Sequence, residues 1–371
     1  MSDKPSVEKK VDDKNDSNNS EDAVEWKDSA DYDIGDSVPF QLKATLASNV
    51  DDYLKYEIIF HDTLSKGLTY NEGSAKVYLG EGENRVDVTA SFDVNVGDYS
   101  ETEGTKITIS CENVKAFGAT NNSVIVVEYT AVLNTNANIG ETGNPNEVYL
   151  EYSNNPNWGW DIWEDDGDGE WEEGETDDDD DGKDEEDDHG QTPEDKVIVF
   201  TYQTVINKVD NNNNPLTGAE FKLEKKQADG IWKEIAVVKN TDSTTFSFVG
   251  LDDGNYRLTE TVTPAGYNTI EPIYFTISAT HDLDSADPKL TGLTATQKNG
   301  EMFGDLAEGV VATFTATVTP ENGTIMSDVV NEKGATLPET GGMGTTMIYV
   351  IGCLMVAGAA IVLFAKKRAA K

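Results

Sequence analysis

The chain has 371 residues, long enough for two domains with separate cores, and its formal net charge of −42 excludes nucleic acid as a partner. Two cysteines exclude a disulfide framework: Cys353 lies in a C-terminal apolar run, leaving Cys111 alone in the rest of the chain. Much of the charge is local, since Asp161–Asp188 holds 19 Asp or Glu against one Lys.

Near the N-terminus, Val7, Lys9 and Val11 alternate onto one strand face; Lys10 is the neighbouring amine in the opposite phase. From residue 38 to residue 153 a period of two dominates. Val38, Phe40, Leu42, Ala44 and Leu46 alternate with polar positions, as do Tyr56, Ile58, Phe60, Asp62 and Leu64, which places Asp62 on an apolar face. Val148, Leu150, Tyr152 and Asn154 repeat the pattern and put Asn154 in the same phase. Turn clusters such as Tyr70-Asn71-Glu72-Gly73 separate the runs, and no segment here sustains a 3.6-residue period. The predicted fold class is all-β, with two immunoglobulin-like β-sandwich domains in tandem.

Residues 1–157 are read as the first sandwich and 158–193 as an acidic, extended linker, because so dense a run of like charge cannot collapse. Within it, Glu164, Asp166, Asp168 and Glu175 fall at calcium-loop positions 1, 3, 5 and 12 with Gly169 at position 6, making them weak metal candidates; no firm metal site is expected. Trp158, Trp160, Trp163 and Trp171 are expected to pack over the end of the first domain, with a carbohydrate platform as the alternative. The three histidines show no metal-ligand spacing, and no phosphate loop or nucleophile triad is visible.

β-Pattern resumes at Lys196-Val197-Ile198-Val199-Phe200, and residues 194–335 are read as the second sandwich. Ile206 and Lys208 share a face, Tyr256, Leu258, Glu260 and Val262 share another, and Ile325, Val329 and Asn331 a third. A Lys, a Glu and an Asn all directed into a core are each costly unless they meet.

The tail, 336–371, combines Leu337-Pro338-Glu339-Thr340-Gly341, an apolar run at 347–365 and Lys366-Lys367-Arg368. Nineteen residues at about 1.5 Å each span a bilayer's hydrocarbon as a transmembrane helix, and the basic cluster stays cytoplasmic. Pro338 excludes a regular helix at that point and pushes Leu337 toward an extended conformation, so the Thr340–Gly341 bond is presented as accessible strand.

These motifs carry a resemblance to Gram-positive surface proteins. The tail resembles an LPxTG sorting signal, which implies that a sortase, pilin-type or housekeeping, cleaves between Thr340 and Gly341 and passes Thr340 to an amine, attaching the protein to the cell wall after transient membrane anchoring. Lys208-Val209-Asp210, Leu216-Thr217-Gly218-Ala219-Glu220-Phe221-Lys222-Leu223, Tyr256-Arg257-Leu258-Thr259-Glu260 and Pro264-Ala265-Gly266-Tyr267 resemble a CnaB-type isopeptide domain. By that likeness Lys208 is the amine, Glu260 the catalytic acid and Asn331 the amide. The stretches around Asp62 and Asn146–Pro156 look like the isopeptide-forming domain of backbone pilins, which implies Lys9, Asp62 and Asn154 in the same roles.

The resemblance as a whole implies a sortase-assembled backbone pilin: a structural subunit, not an enzyme, with self-directed isopeptide formation only and no cofactor. Its implied partners are sortase, other pilin subunits, peptidoglycan and a host-surface ligand that no residue identifies. The alternative is a monomeric wall-anchored adhesin using the domains as a stalk. Met1-Ser2-Asp3-Lys4 opens no apolar leader, and no Y-P-K pilin motif occurs. An export signal and an N-terminal domain are therefore expected upstream.

Overall fold

The computed structural model describes residues 4–13, 24–156, 163–165, 171–173, 189–235, 238–240, 244–300 and 314–334. The sorting signal, the apolar run at 347–365 and the calcium-loop residues Asp166, Asp168 and Glu175 lie outside the described residues, and Glu164 is described only as backbone. Among the described residues no helix is long and apolar enough to cross a membrane.

The first domain is a β-sandwich. Its principal strands are β1 (Ser6–Asp12), β2 (Ser37–Thr45), β3 (Ile58–Leu64), β4 (Thr105–Cys111), β5 (Val124–Leu133), β6 (Asn144–Ser153) and β7 (Asp195–Phe200). One sheet runs β1–β2–β5 and the facing sheet β7–β6–β3–β4, each extended by short strands at its margins. The alternation read from the sequence is the burial pattern found. Val38, Phe40, Leu42 and Ala44 of β2, and Ile58, Phe60 and Leu64 of β3, fill the space between the sheets.

The strand expected to open the second domain closes the first. β7 pairs antiparallel with β6, matching Asn144 to Val199 and Val148 to Asp195. Its two faces serve two cores: Val197 and Val199 join the first, Ile198 and Phe200 the second. That explains a continuous apolar run where a one-sided strand would alternate. A domain boundary at residue 194 is therefore corrected to the stretch around Thr201, the single residue between β7 and β8 (Tyr202–Asp210).

The acidic segment changes place for the same reason. The chain leaves β6 at Ser153 and returns at His189–Gln191, which pairs back onto β6 through Ser153–His189 and Glu151–Gln191. Ser153 and His189–Gln191, on either side of the acidic run, are thus both paired within the first sandwich, so residue 193 does not separate the two domains. High local charge predicts an excursion into solvent, but carries no information about whether the chain comes back to the same strand.

The second domain adds β9 (Glu220–Lys226), β10 (Thr245–Leu251), β11 (Gly254–Val262), β12 (Ile273–His281), β13 (Leu290–Lys298) and β14 (Thr324–Asn331). One sheet is centred on β10–β8–β14, the other on β9–β11–β12–β13, over a core that includes Phe221, Leu223, Phe248, Leu258 and Phe275. β8 and its partner β14 run parallel, with Lys208 opposite Val329 and Asp210 opposite Asn331.

The domains are docked closely. Ile34 N–H donates to the Gly250 carbonyl at 3.0 Å, Asp28 N–H to Leu283 O at 3.1 Å, and Gly140 N–H to Thr201 O at 2.9 Å. Gly250 has φ +82°, and a Cβ there would lie 2.4 Å from Ile34 Cδ1. Glycine is required at that contact both by backbone conformation and by space.

Candidate cross-linking sites

In the first sandwich, β1 carries Lys9 inward from one sheet and β3 carries Asp62 inward from the other; both are fully buried. Lys9 Nζ lies 2.5 Å from Asp62 Oδ2 and 3.3 Å from the Tyr129 hydroxyl. Tyr129, on the inward face of β5, lies 3.0 and 3.1 Å from the two Asp62 oxygens, within donating distance of both. Burial lowers the Lys9 pKa against the pull of Asp62, and the same burial raises that of Asp62 against the pull of Lys9 and Tyr129. Desolvation therefore favours a neutral amine beside a protonated acid. Tyr129 is pushed well above its ordinary value and stays a phenol.

The asparagine buried at this centre is Asn146. Its side chain is fully buried, and its Nδ2 donates to the Tyr129 hydroxyl at 2.7 Å. Asn154, expected in this role, is exposed beyond the end of β6. The two asparagines share a phase, but only Asn146 lies within the paired part of β6: Asn146 is opposite Leu64 and Val148 opposite Asp62. Asn154 precedes Asn155-Pro156, where the strand has stopped. Lys10, the out-of-phase amine, turns outward to pair with Asp28.

In the second sandwich the structure brings Lys208, Glu260 and Asn331 into one core region, all buried. Asn331 Nδ2 donates to Glu260 Oε2 at 3.1 Å and to Asn268 O at 3.0 Å. Glu260 Oε2 also accepts from Thr263 Oγ1 at 3.1 Å and from Ile270 N–H at 3.3 Å, which fixes the carboxyl. Lys208 Nζ donates to Val329 O at 2.8 Å, two residues before Asn331 on the neighbouring strand. Burial lowers the Lys208 pKa to about 8, with the charge of Glu260 opposing the shift.

The two centres share one arrangement. The acid reaches the amide nitrogen of Asn, directly from Glu260 and through the Tyr129 hydroxyl from Asp62. In both, the Asn Oδ1 is buried without a hydrogen-bond partner. Such an orphaned acceptor is costly in a finished core and is what a carbonyl awaiting attack would show. Nothing in the sequence singles out Tyr129. Its signal is the alternation Val127, Tyr129, Ala131 on β5, which is equally that of a core aromatic.

Among the described residues, two sets of ligand-type side chains come close together, Asp13–Asp31–His281 and Asp33–Asp36–Asp252, both at the domain junction. Neither coincides with the calcium-loop residues read from the sequence.

Residues 34–156 match the family model of the Gram-positive pilin backbone subunit 2, Cna-B-like domain. Residues 203–289 match the SpaA prealbumin-like fold domain. The trypsin-resistant surface T6 protein of Streptococcus pyogenes serotype M6 is 28% identical over 388 residues, covering 91% of this chain and 65% of that protein. The chain thus spans about two thirds of the length of this curated relative. The solved structure of the T6 backbone pilin of serotype M6 S. pyogenes, modular and three-domain, is similar with a TM-score of 0.52 at 20% identity, over 89% of this chain and 70% of that one; this likeness shows the fold. A 35 kDa C-terminal fragment of the major pilin of Streptococcus agalactiae gives a TM-score of 0.49 at 20% identity, over 74% of this chain and 92% of that one. In chain order, then, the first sandwich matches a Gram-positive pilin backbone domain and the second a prealbumin-like domain.

Proposed function

We propose that this protein is a structural shaft subunit of a cell-surface pilus whose two sandwiches are each closed by an autocatalytic Lys–Asn isopeptide bond. The observation that carries the reading is the repeated constellation of a buried Lys, a buried acid and a buried Asn with an orphaned carbonyl, Lys9–Asp62–Asn146 and Lys208–Glu260–Asn331. The matches to backbone-pilin domains favour a shaft subunit over a monomeric adhesin.

The chemistry follows from burial. Neutral Lys Nζ attacks Asn Cγ, forming the new C–N bond as the bond to Nδ2 breaks. The acid hydrogen-bonds the polarised amide, accepts the proton lost by the attacking nitrogen and returns one to the leaving nitrogen, which departs as ammonia. Glu260 does this directly. Asp62 works through Tyr129, whose hydroxyl relays a proton between acid and leaving group. Each bond forms once, so there is no turnover.

The bonds differ in what they tie. Lys208–Asn331 joins adjacent parallel strands, the first and last of the second domain. Lys9–Asn146 joins β1 of one sheet to β6 of the other, and β6 is hydrogen-bonded to β7, which enters the second domain. Tension along the chain would then bypass most of the first sandwich's hydrogen-bond ladders. A bond closing a loop of this length contributes on the order of 4–5 kcal/mol by unfolded-state entropy.

Sorting at Leu337–Gly341 by sortase, wall attachment and polymerisation with other pilin subunits complete the reading, supported by the sequence of the tail. The test is whole-cell fractionation. Covalent, wall-released, high-mass ladders that vanish on Thr340→Ala support it, and an intact chain released by detergent alone opposes it.

A further inference from the structure

Three lysines are fully buried among the described residues: Lys9, Lys208 and Lys225. Lys225 lies on β9. Its Nζ lies 3.0 Å from Asp33 Oδ2, in the first domain, and against Asp252 Oδ1, in the turn between β10 and β11. Asp36 brings a third carboxylate within 4.8 Å of the other two. Lys225 and Asp252 are withdrawn from water and Asp33 nearly so, which favours the neutral forms of amine and acid over the charged ones.

We infer that Lys225 and Asp33 form a third amide, an interdomain cross-link between the two sandwiches. The two carboxyls are held differently, and the difference assigns their roles. Asp33 Oδ1 accepts the Asp252 backbone N–H at 3.0 Å, a donor placed where negative charge would develop on attack. Asp252 Oδ1 touches Lys225 Nζ and lies 3.3 Å from the Tyr256 hydroxyl, so Asp252 is the proton carrier. Lys225 passes a proton to Asp252, and the neutral amine attacks Asp33 Cγ. The C–N bond forms, the Cγ–Oδ2 bond breaks, and the oxygen leaves as water with protons returned through Asp252. Condensation replaces a buried ammonium and carboxylate by one neutral amide, relieving their desolvation cost. Thr201 alone separates β7 from β8, so the bond would add a second covalent connection at the junction.

The test is peptide mapping by mass spectrometry of the full chain. The expected result is a branched peptide joining Lys225 to Asp33, lighter than its two components by one water. In Lys225→Arg, which keeps the charge, that water loss should vanish while any ammonia losses at Lys9 and Lys208 remain. Those losses are read on separate peptides, so this inference and the isopeptide reading can fail independently. Recovery of Lys225 and Asp33 on separate, unmodified peptides from folded protein would overturn the inference. A peptide joining Lys225 to Asp252 would overturn the assignment of roles.

Discussion

Lys9 and Asp62 meet at 2.5 Å between two facing sheets, with neither side chain reaching solvent. An ion pair so placed costs more in desolvation than most pairs regain, unless the charges are discharged by proton transfer or consumed by reaction. The opposed shifts of the two groups favour the first and prepare the second. Asp62→Ala should leave the Lys9–Asn146 bond unformed and lower the stability of the first sandwich by on the order of 4–5 kcal/mol, measured by chemical denaturation.

Asn146 and Asn154 separate cleanly by mutation. Asn146→Ala should abolish the ammonia loss from the first sandwich, whereas Asn154→Ala, at an exposed position, should leave the ammonia loss and the stability unchanged. Intact mass and thermal unfolding of the two variants read this directly. The reverse result would restore Asn154 to the site.

Tyr129→Phe removes the hydroxyl that links Lys9, Asp62 and Asn146. The expected outcome is a slowed or incomplete bond, with a cost of about 1–3 kcal/mol in the unreacted fraction from unpaired buried groups. Time-resolved mass after refolding measures it. Formation at the wild-type rate would reduce Tyr129 to a packing residue.

In the second sandwich, Asn331→Ala leaves Lys208 as a free buried amine. Its folded pKa of about 8 lies below the ordinary 10.5, so between these values the unfolded state binds more protons than the folded one. Stability of the variant should therefore rise with pH from about 8 to 10.5 and level off below about 8. The wild type, whose amine is consumed, should lack this component. Parallel denaturation curves across that range check the difference.

Gly250→Ala should loosen the junction, since a left-handed backbone costs a non-glycine residue about 1–2 kcal/mol and its Cβ would strike Ile34. Small-angle scattering should show a wider spread of interdomain distances than in the wild type. An unchanged profile would place the docking energy elsewhere.

The alternation of apolar residues exposed most of this architecture. Lys9, Asp62, Lys208, Glu260 and Asn331 were all legible as polar residues in apolar phase, because a strand face is fixed by parity. Parity does not tell Asn146 from Asn154; that depends on where β6 loses its partners. Nor does it show that Asp195–Phe200 is buried on both faces, one against each core, since the deciding surface belongs to the other domain. The pairing of His189–Gln191 back onto β6 is a long-range contact that local charge cannot encode.

The most direct measurement of the central claim is the intact mass of the folded full chain with peptide mapping at both triads. The account predicts two ammonia losses, one on a branched peptide joining Lys9 to Asn146 and one on a peptide joining Lys208 to Asn331. Unmodified Lys9, Asn146, Lys208 and Asn331 in correctly folded protein would contradict it.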